Sequence, residues 1–149
     1  MYQRKVVESL LARMNEPRRF IQILIGPRQT GKSTAIRQAL NHIETPYHSV
    51  QASIDSSSRD WLRAQWIQAR NLIGGSTTSA LLVIDEVQLV SQWSAVVKEL
   101  WDEDAGSGID LRVVLTGPSS LLLQTGLSEA LTGRFEILRS THWTYSECK

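Results

Sequence analysis

Residues 26–33 read Gly-Pro-Arg-Gln-Thr-Gly-Lys-Ser, the spacing G-x-x-x-x-G-K-[ST] with both glycines, the lysine and the hydroxyl in place. Before them runs Phe20-Ile21-Gln22-Ile23-Leu24-Ile25, short, apolar and rich in β-branched residues. After them Ile36, Ala39, Leu40 and Ile43 fall on one helical stripe. A strand, a glycine-bounded loop and a helix are therefore expected in that order. Gly26 and Gly31 allow backbone conformations closed to residues with a Cβ, so successive N–H groups can turn inward around a phosphate. The helix that follows adds unpaired N–H groups and the positive end of its dipole. Lys32 supplies a mobile charge for the β- and γ-phosphates of a nucleotide, and Ser33 offers its hydroxyl to Mg²⁺. Gly26, Pro27, Arg28, Gln29, Thr30, Gly31, Lys32, Ser33 and Thr34 form the candidate nucleotide-binding set. The competing reading is a glycine turn that matches by accident. With glycine near 7% of average sequence, that happens in well under roughly 1% of chains this long.

The length of 149 residues suits one domain spanning 1–149, with residues 1–18 as an N-terminal helical segment. A formal net charge of +1 argues against a strong nucleic-acid footprint and leaves a local patch open. Arg18, Arg19 and Arg28 group near the loop in sequence, either solvated or, for Arg28, lining the phosphate mouth. The single cysteine, Cys148, excludes an internal disulfide, and with no secretory or transit signal a cytoplasmic setting is the default. No apolar run reaches the length of a bilayer span, so no membrane role is expected.

Along the rest of the chain, a helix is expected over Tyr2 to Met14, with Val6, Leu10 and Met14 on one face and Pro17 ending it. It packs beside the first strand or touches an adenine base. Tyr47 to Ser53 reads as a strand, Asp55 to Asp60 as a polar loop, and Asp60 to Ile73 as a helix burying Leu62, Trp66, Ala69 and Ile73. Residues 74–79 read as a flexible Gly/Ser/Thr loop. Ala80 to Ile84 is almost purely apolar, the pattern of a strand buried on both faces. A helix over Ser91 to Asp102 follows, and Asp102-Glu103-Asp104 reads as a solvated loop. Leu111 to Leu115 is another apolar strand, Pro118 to Gln124 a short helix, Ser128 to Leu131 a helical turn, and Phe135 to Leu138 a fifth strand. Strands alternating with helices place the chain in the α/β class, with a parallel, doubly wound sheet. Ligands of such sheets bind beyond the carboxyl ends of the strands, where the phosphate loop, Asp85-Glu86 and Thr116 all fall.

Asp85 closes a buried strand and can hold Mg²⁺ through its water shell. Glu86 can accept a proton from an attacking water or orient it. A lone Asp-Glu pair is more often a solvated turn. Its position behind a phosphate loop is what makes the pair informative. The order G-P-R-Q-T-G-K-S, L-L-V-I-D-E-V-Q, L-T-G-P-S-S and L-T-G-R-F-E resembles the AAA-type P-loop ATPases. It is most similar to prokaryotic predicted ATPases that carry G-P-R-Q-x-G-K-[ST] and D-E-[IV]-Q. The resemblance covers about Arg19 to Glu147 and implies a three-layer P-loop NTPase fold, with a five-stranded, mainly parallel sheet between helices. It implies ATP and Mg²⁺ as cofactors, Lys32 and Glu86 as catalytic groups, and Ser33 and Asp85 at the metal. It places Thr116 as a polar sensor of the γ-phosphate, against a plain strand-end hydroxyl, and Arg134 where such proteins carry an arginine finger, against a surface arginine at a strand start, with action in cis or in trans left open. It assigns no role to Gln88.

A homo-oligomer or a partner protein is compatible with this reading. Measured against such families, these 149 residues are expected to lack the usual helical lid and further C-terminal sequence. Thr144-Tyr145-Ser146-Glu147 fits the capping box that opens a helix, so a domain cut from a longer protein is expected, against a chance T-x-x-E. His42, His48 and His142 lack metal-ligand spacing, and the five tryptophans read as core or interface. Two functions follow: an ATPase that couples nucleotide state to a partner, or a nucleotide-binding switch without productive hydrolysis. The chain has no N-K-x-D stretch to favour guanine.

Overall fold

A computed structural model describes residues 4–26, 32–56, 58–123 and 131–139. Pro27 to Gly31, the span 124–130 and the segment 140–149 lie outside the described residues, with the sequence expectations that fall on them.

Five strands, β1 (Ile21–Ile25), β2 (Tyr47–Gln51), β3 (Ala80–Asp85), β4 (Leu111–Gly117) and β5 (Phe135–Arg139), form one sheet in the order β2-β3-β4-β1-β5. Every pairing is parallel, so the sheet is all-parallel rather than mainly so. Among the described residues four α-helices cover it: α1 (Arg4–Met14), α2 (Lys32–Leu40), α3 (Arg59–Arg70) and α4 (Trp93–Ser107). This is the three-layer arrangement of a P-loop NTPase.

Side chains alternate across a strand, and that period of two sorts the core into two halves. Ile21, Ile23, Ile25, Leu82, Ile84, Val113 and Leu115 pack with Leu62, Trp66, Val97 and Leu100 of α3 and α4. Leu24, Leu81, Val83 and Val114 pack with Leu10 and Met14 of α1 and with Ala35, Ile36 and Ala39 of α2. Odd-numbered residues of β3 therefore face α2, and so do even-numbered residues of β4. Asp85 and Thr116 end those two rows, which brings both to the start of α2.

The differences from the sequence reading have local causes. Helix α2 stops at Leu40, yet Ile43 still packs on its cluster because the chain turns tightly, with the His42 N–H bonded to Ala39 O. Helix α3 begins at Arg59, capped by the Ser58 hydroxyl accepting from the Trp61 N–H (3.0 Å), so the polar stretch before it is shorter than expected. The stretch expected to be a flexible loop after α3 contains a closed turn, since Gly74 and Thr77 exchange backbone hydrogen bonds, both 2.9 Å. Helix α4 runs on to Ser107 and ends at Gly108, whose φ of 68° is the left-handed stop glycine adopts readily. The expected solvated loop Asp102-Glu103-Asp104 is thus helical. Asp104 has no exposed surface at all: its carboxylate accepts from Trp66 Nε1 (2.8 Å) and Arg70 Nε (2.7 Å). Arg18 and Arg19 precede β1 at the amino edge of the sheet. Arg18 lies over the Trp101 ring, 3.4 Å from its centroid, and donates to Trp101 O and Leu111 O, so it is half-buried against α4 and β4 and away from the carboxyl edge.

Candidate functional site

The carboxyl ends of β1, β3 and β4 converge on the first turn of α2. Gly26 follows β1 directly and donates its N–H to Gly117 O (3.3 Å), tying the mouth of the loop to the end of β4. Lys32 is 7% exposed, and its ammonium donates to Gly26 O (2.6 Å). The lysine thus spans the loop it belongs to, with its charge held at the loop's entrance. Ser33 and Thr34, the next two residues of α2, are exposed.

Ser33 Oγ donates to Asp85 Oδ2 (2.5 Å). The other carboxylate oxygen, Oδ1, accepts from Thr116 Oγ1. Thr116 is fully buried and in turn accepts from the Glu86 N–H (3.0 Å). One hydroxyl therefore holds both acidic residues: its proton goes to Asp85 and its lone pair to the backbone of Glu86. In this arrangement that proton is committed to Asp85, so Thr116 works on the turn after β3.

That turn is unusual. Glu86 has φ 59° and ψ 47°, the left-handed region, which costs a residue with a side chain roughly 1–2 kcal/mol. The reversal sends Val87 and Val90 back into the core, both almost wholly buried, and closes a 3₁₀ turn over Val87–Leu89. Ala52 N–H, just past β2, donates to Asp85 O (2.9 Å) and braces the other side. Gln88 Nε2 donates to Glu86 Oε1 (2.8 Å). Beside Asp85 and Ser33 lies an open groove of about 220 Å³ between α2 and β2, with Arg37, Ser49 and Gln51 on its walls.

Gly26, Lys32, Ser33, Asp85, Glu86 and Thr116 are brought together at this edge. Arg134 is not among them. It precedes β5 at the opposite edge, where its carbonyl accepts from the Ile21 N–H (2.8 Å). The five residues of β5 put it roughly 16 Å from the carboxyl edge. Its guanidinium is paired with Asp102 (Nε to Oδ1 2.8 Å, Nη2 to Oδ2 3.1 Å), which lowers the Asp102 pKa from its ordinary value and raises that of Arg134. Neither the contact of Gln88 with Glu86 nor the double duty of Thr116 has a local signal in the sequence.

The donor set suits a hard divalent ion. A serine hydroxyl and an aspartate oxygen stand 2.5 Å apart, and Mg²⁺ takes one or two protein oxygens and fills its shell with water and phosphate. Among the described residues no group of three or more His, Cys, Asp or Glu could hold a metal ion by itself.

A glycine-bounded loop on an all-parallel sheet, with an acidic strand end against the first turn of the next helix, defines the P-loop class of nucleotide-binding proteins. Within that class, residues 18–149 match the AAA domain family, and the chain belongs to it. No curated protein matches the chain at a significant level. No helix among the described residues is long and apolar enough to cross a membrane.

Proposed function

We propose that this AAA domain binds Mg-ATP at the carboxyl edge of its sheet and hydrolyses it to ADP and phosphate, its nucleotide state moving a partner or an attached domain. The single observation that carries the reading is the chain of contacts Ser33–Asp85–Thr116–Glu86, which joins a metal-binding pair, Ser33 and Asp85, to a base candidate, Glu86, at the residue after Asp85. The loop from Pro27 to Gly31 is proposed to wrap the phosphates, with the backbone N–H groups of Arg28 to Gly31 as donors, and Lys32 to leave Gly26 O for the β- and γ-phosphates. Ser33 and Asp85 would hold Mg²⁺, which when bound neutralises phosphate charge. Glu86, fixed at its backbone by Thr116, would orient the attacking water and take its proton.

Phosphate release tests this directly. The unaltered chain should release phosphate from Mg-ATP. Glu86→Gln should bind Mg-ATP as before and lose turnover by about 10²-fold or more. Undiminished release in Glu86→Gln would remove Glu86 from the role. Excess GTP should compete weakly, in line with the missing guanine motif.

The second reading, a switch that binds without hydrolysing, is favoured by the position of Arg134. Within one chain it stands at the far edge, engaged with Asp102. A finger acting on the γ-phosphate would have to come from another copy. Saturable binding with no release at any protein concentration supports the switch.

A further inference from the structure

We propose that Gln88 is a positioning residue for hydrolysis: its side-chain amide holds the Glu86 carboxylate at the end of β3, in the orientation from which it acts on water. The inference rests on the hydrolytic role proposed above for Glu86.

The two side chains meet because Glu86 is left-handed. The reversal at φ 59° brings Gln88, in the next turn, alongside, and Nε2 donates to Glu86 Oε1 (2.8 Å). The direction of the amide follows from chemistry, since its oxygen could only repel a carboxylate. That direction leaves Gln88 Oε1 buried with no hydrogen-bond partner among the described residues. A Cβ at Gly117 would lie 3.2 Å from Gln88 Oε1 and 2.9 Å from Leu121 Cδ2, so the amide oxygen packs closely against the bare backbone of Gly117.

A buried acceptor without a partner disfavours folding. For the fold alone, an apolar side chain of similar length would serve at least as well. What only the amide supplies is a donor aimed at the carboxylate. A half-buried glutamate on a strained turn otherwise has several rotamers open to it, and a misplacement of about 1 Å at a reacting group can cost 10²-fold in rate. The glutamine therefore improves the placement of Glu86 at the expense of its own oxygen.

The test compares the unaltered chain with Gln88→Met, which keeps the length and removes both the donor and the stranded acceptor. The expected result is a kcat lowered about 10- to 100-fold, KM and Mg-ATP affinity within about twofold, and a melting temperature unchanged or higher. Gln88→Glu replaces the donor with an acceptor and should lose kcat at least as far. It also serves as the readout should the Met variant fail to fold. Turnover within about twofold of the unaltered chain, or a kcat that falls only in step with stability, overturns the proposal. Turnover that is lost in Glu86→Gln but kept in Gln88→Met removes Gln88 alone. No phosphate release from the unaltered chain removes the hydrolytic reading and this one with it.

Discussion

Thr116 shows how much rests on one hydroxyl. It donates to Asp85 and accepts from the Glu86 N–H while fully buried. Thr116→Val keeps the shape and deletes both bonds, stranding a half-buried N–H and a carboxylate oxygen. The expected cost is about 1–3 kcal/mol in denaturant unfolding, with weakened Mg-ATP binding. Thr116→Ser keeps the hydroxyl and should recover most of both. The motif residues at this scale were legible in the sequence, because Gly26, Lys32, Ser33 and Asp85 owe their identity to local chemistry at fixed spacing. Thr116 was legible as a strand-end hydroxyl in the right place, not in what it touches. That depends on the register Ile84 to Leu115, which sets Asp85 and Thr116 side by side. Gln88 was opaque because its contact exists only through the left-handed turn at Glu86, and no local pattern announces such a turn at a glutamate.

Among the elements, α3 and α4 are joined through Asp104. Trp66 and Arg70 of α3 both donate to its buried carboxylate, and Arg70 also bonds Leu100 O (3.3 Å). Trp66→Phe keeps the packing and removes one donor, with an expected loss of about 1–2 kcal/mol by unfolding. Burial pushes the Asp104 pKa above its ordinary 3.8, opposed by the Trp66 and Arg70 contacts. The folded state then holds a proton that the unfolded chain releases. The resulting contribution is complete below pH 3.8 and is lost as pH rises through the folded-state value. Relative to Asp104→Asn, which cannot titrate, the unaltered chain should therefore lose stability across that window in unfolding curves taken from acid toward neutral pH. An Asn variant showing the same slope would mean another group is responsible. The sequence contained a signal for this acid: Asp104 continues the stripe of Val97, Leu100 and Trp101 by one turn. An acidic triplet before Gly106 and Gly108 reads more readily as a loop, and the long-range partner Trp66 is invisible to any local pattern.

For the whole molecule, the parallel sheet separates its two ends by function. The carboxyl edge gathers the candidate site, while the amino edge is a polar brace. There Arg13 of α1 bonds Gln22 Oε1 (3.0 Å) and Glu136 Oε1 (2.6 Å), fastening α1 to β1 and β5. Arg134 belongs to this second edge. Its pair with Asp102 is substantially exposed, so Arg134→Ala should leave the unfolding midpoint and the Mg-ATP affinity nearly unaltered. A finger role in trans adds a further expectation: turnover per chain should rise with protein concentration, and the variant should lose that rise. The class and the strand order of events along the chain were readable from alternating apolar runs. The edge on which a given arginine falls was not, because that follows from strand direction rather than from sequence neighbours.

A grip for a magnesium nucleotide at the carboxyl edge is read most directly by a calorimetric titration. Mg-ATP added to the unaltered chain should give one saturable site, weakened by chelating the metal and by Asp85→Asn, and abolished in Lys32→Ala. A folded, unaltered chain with no saturable heat, or one whose binding is the same in both variants, would contradict it.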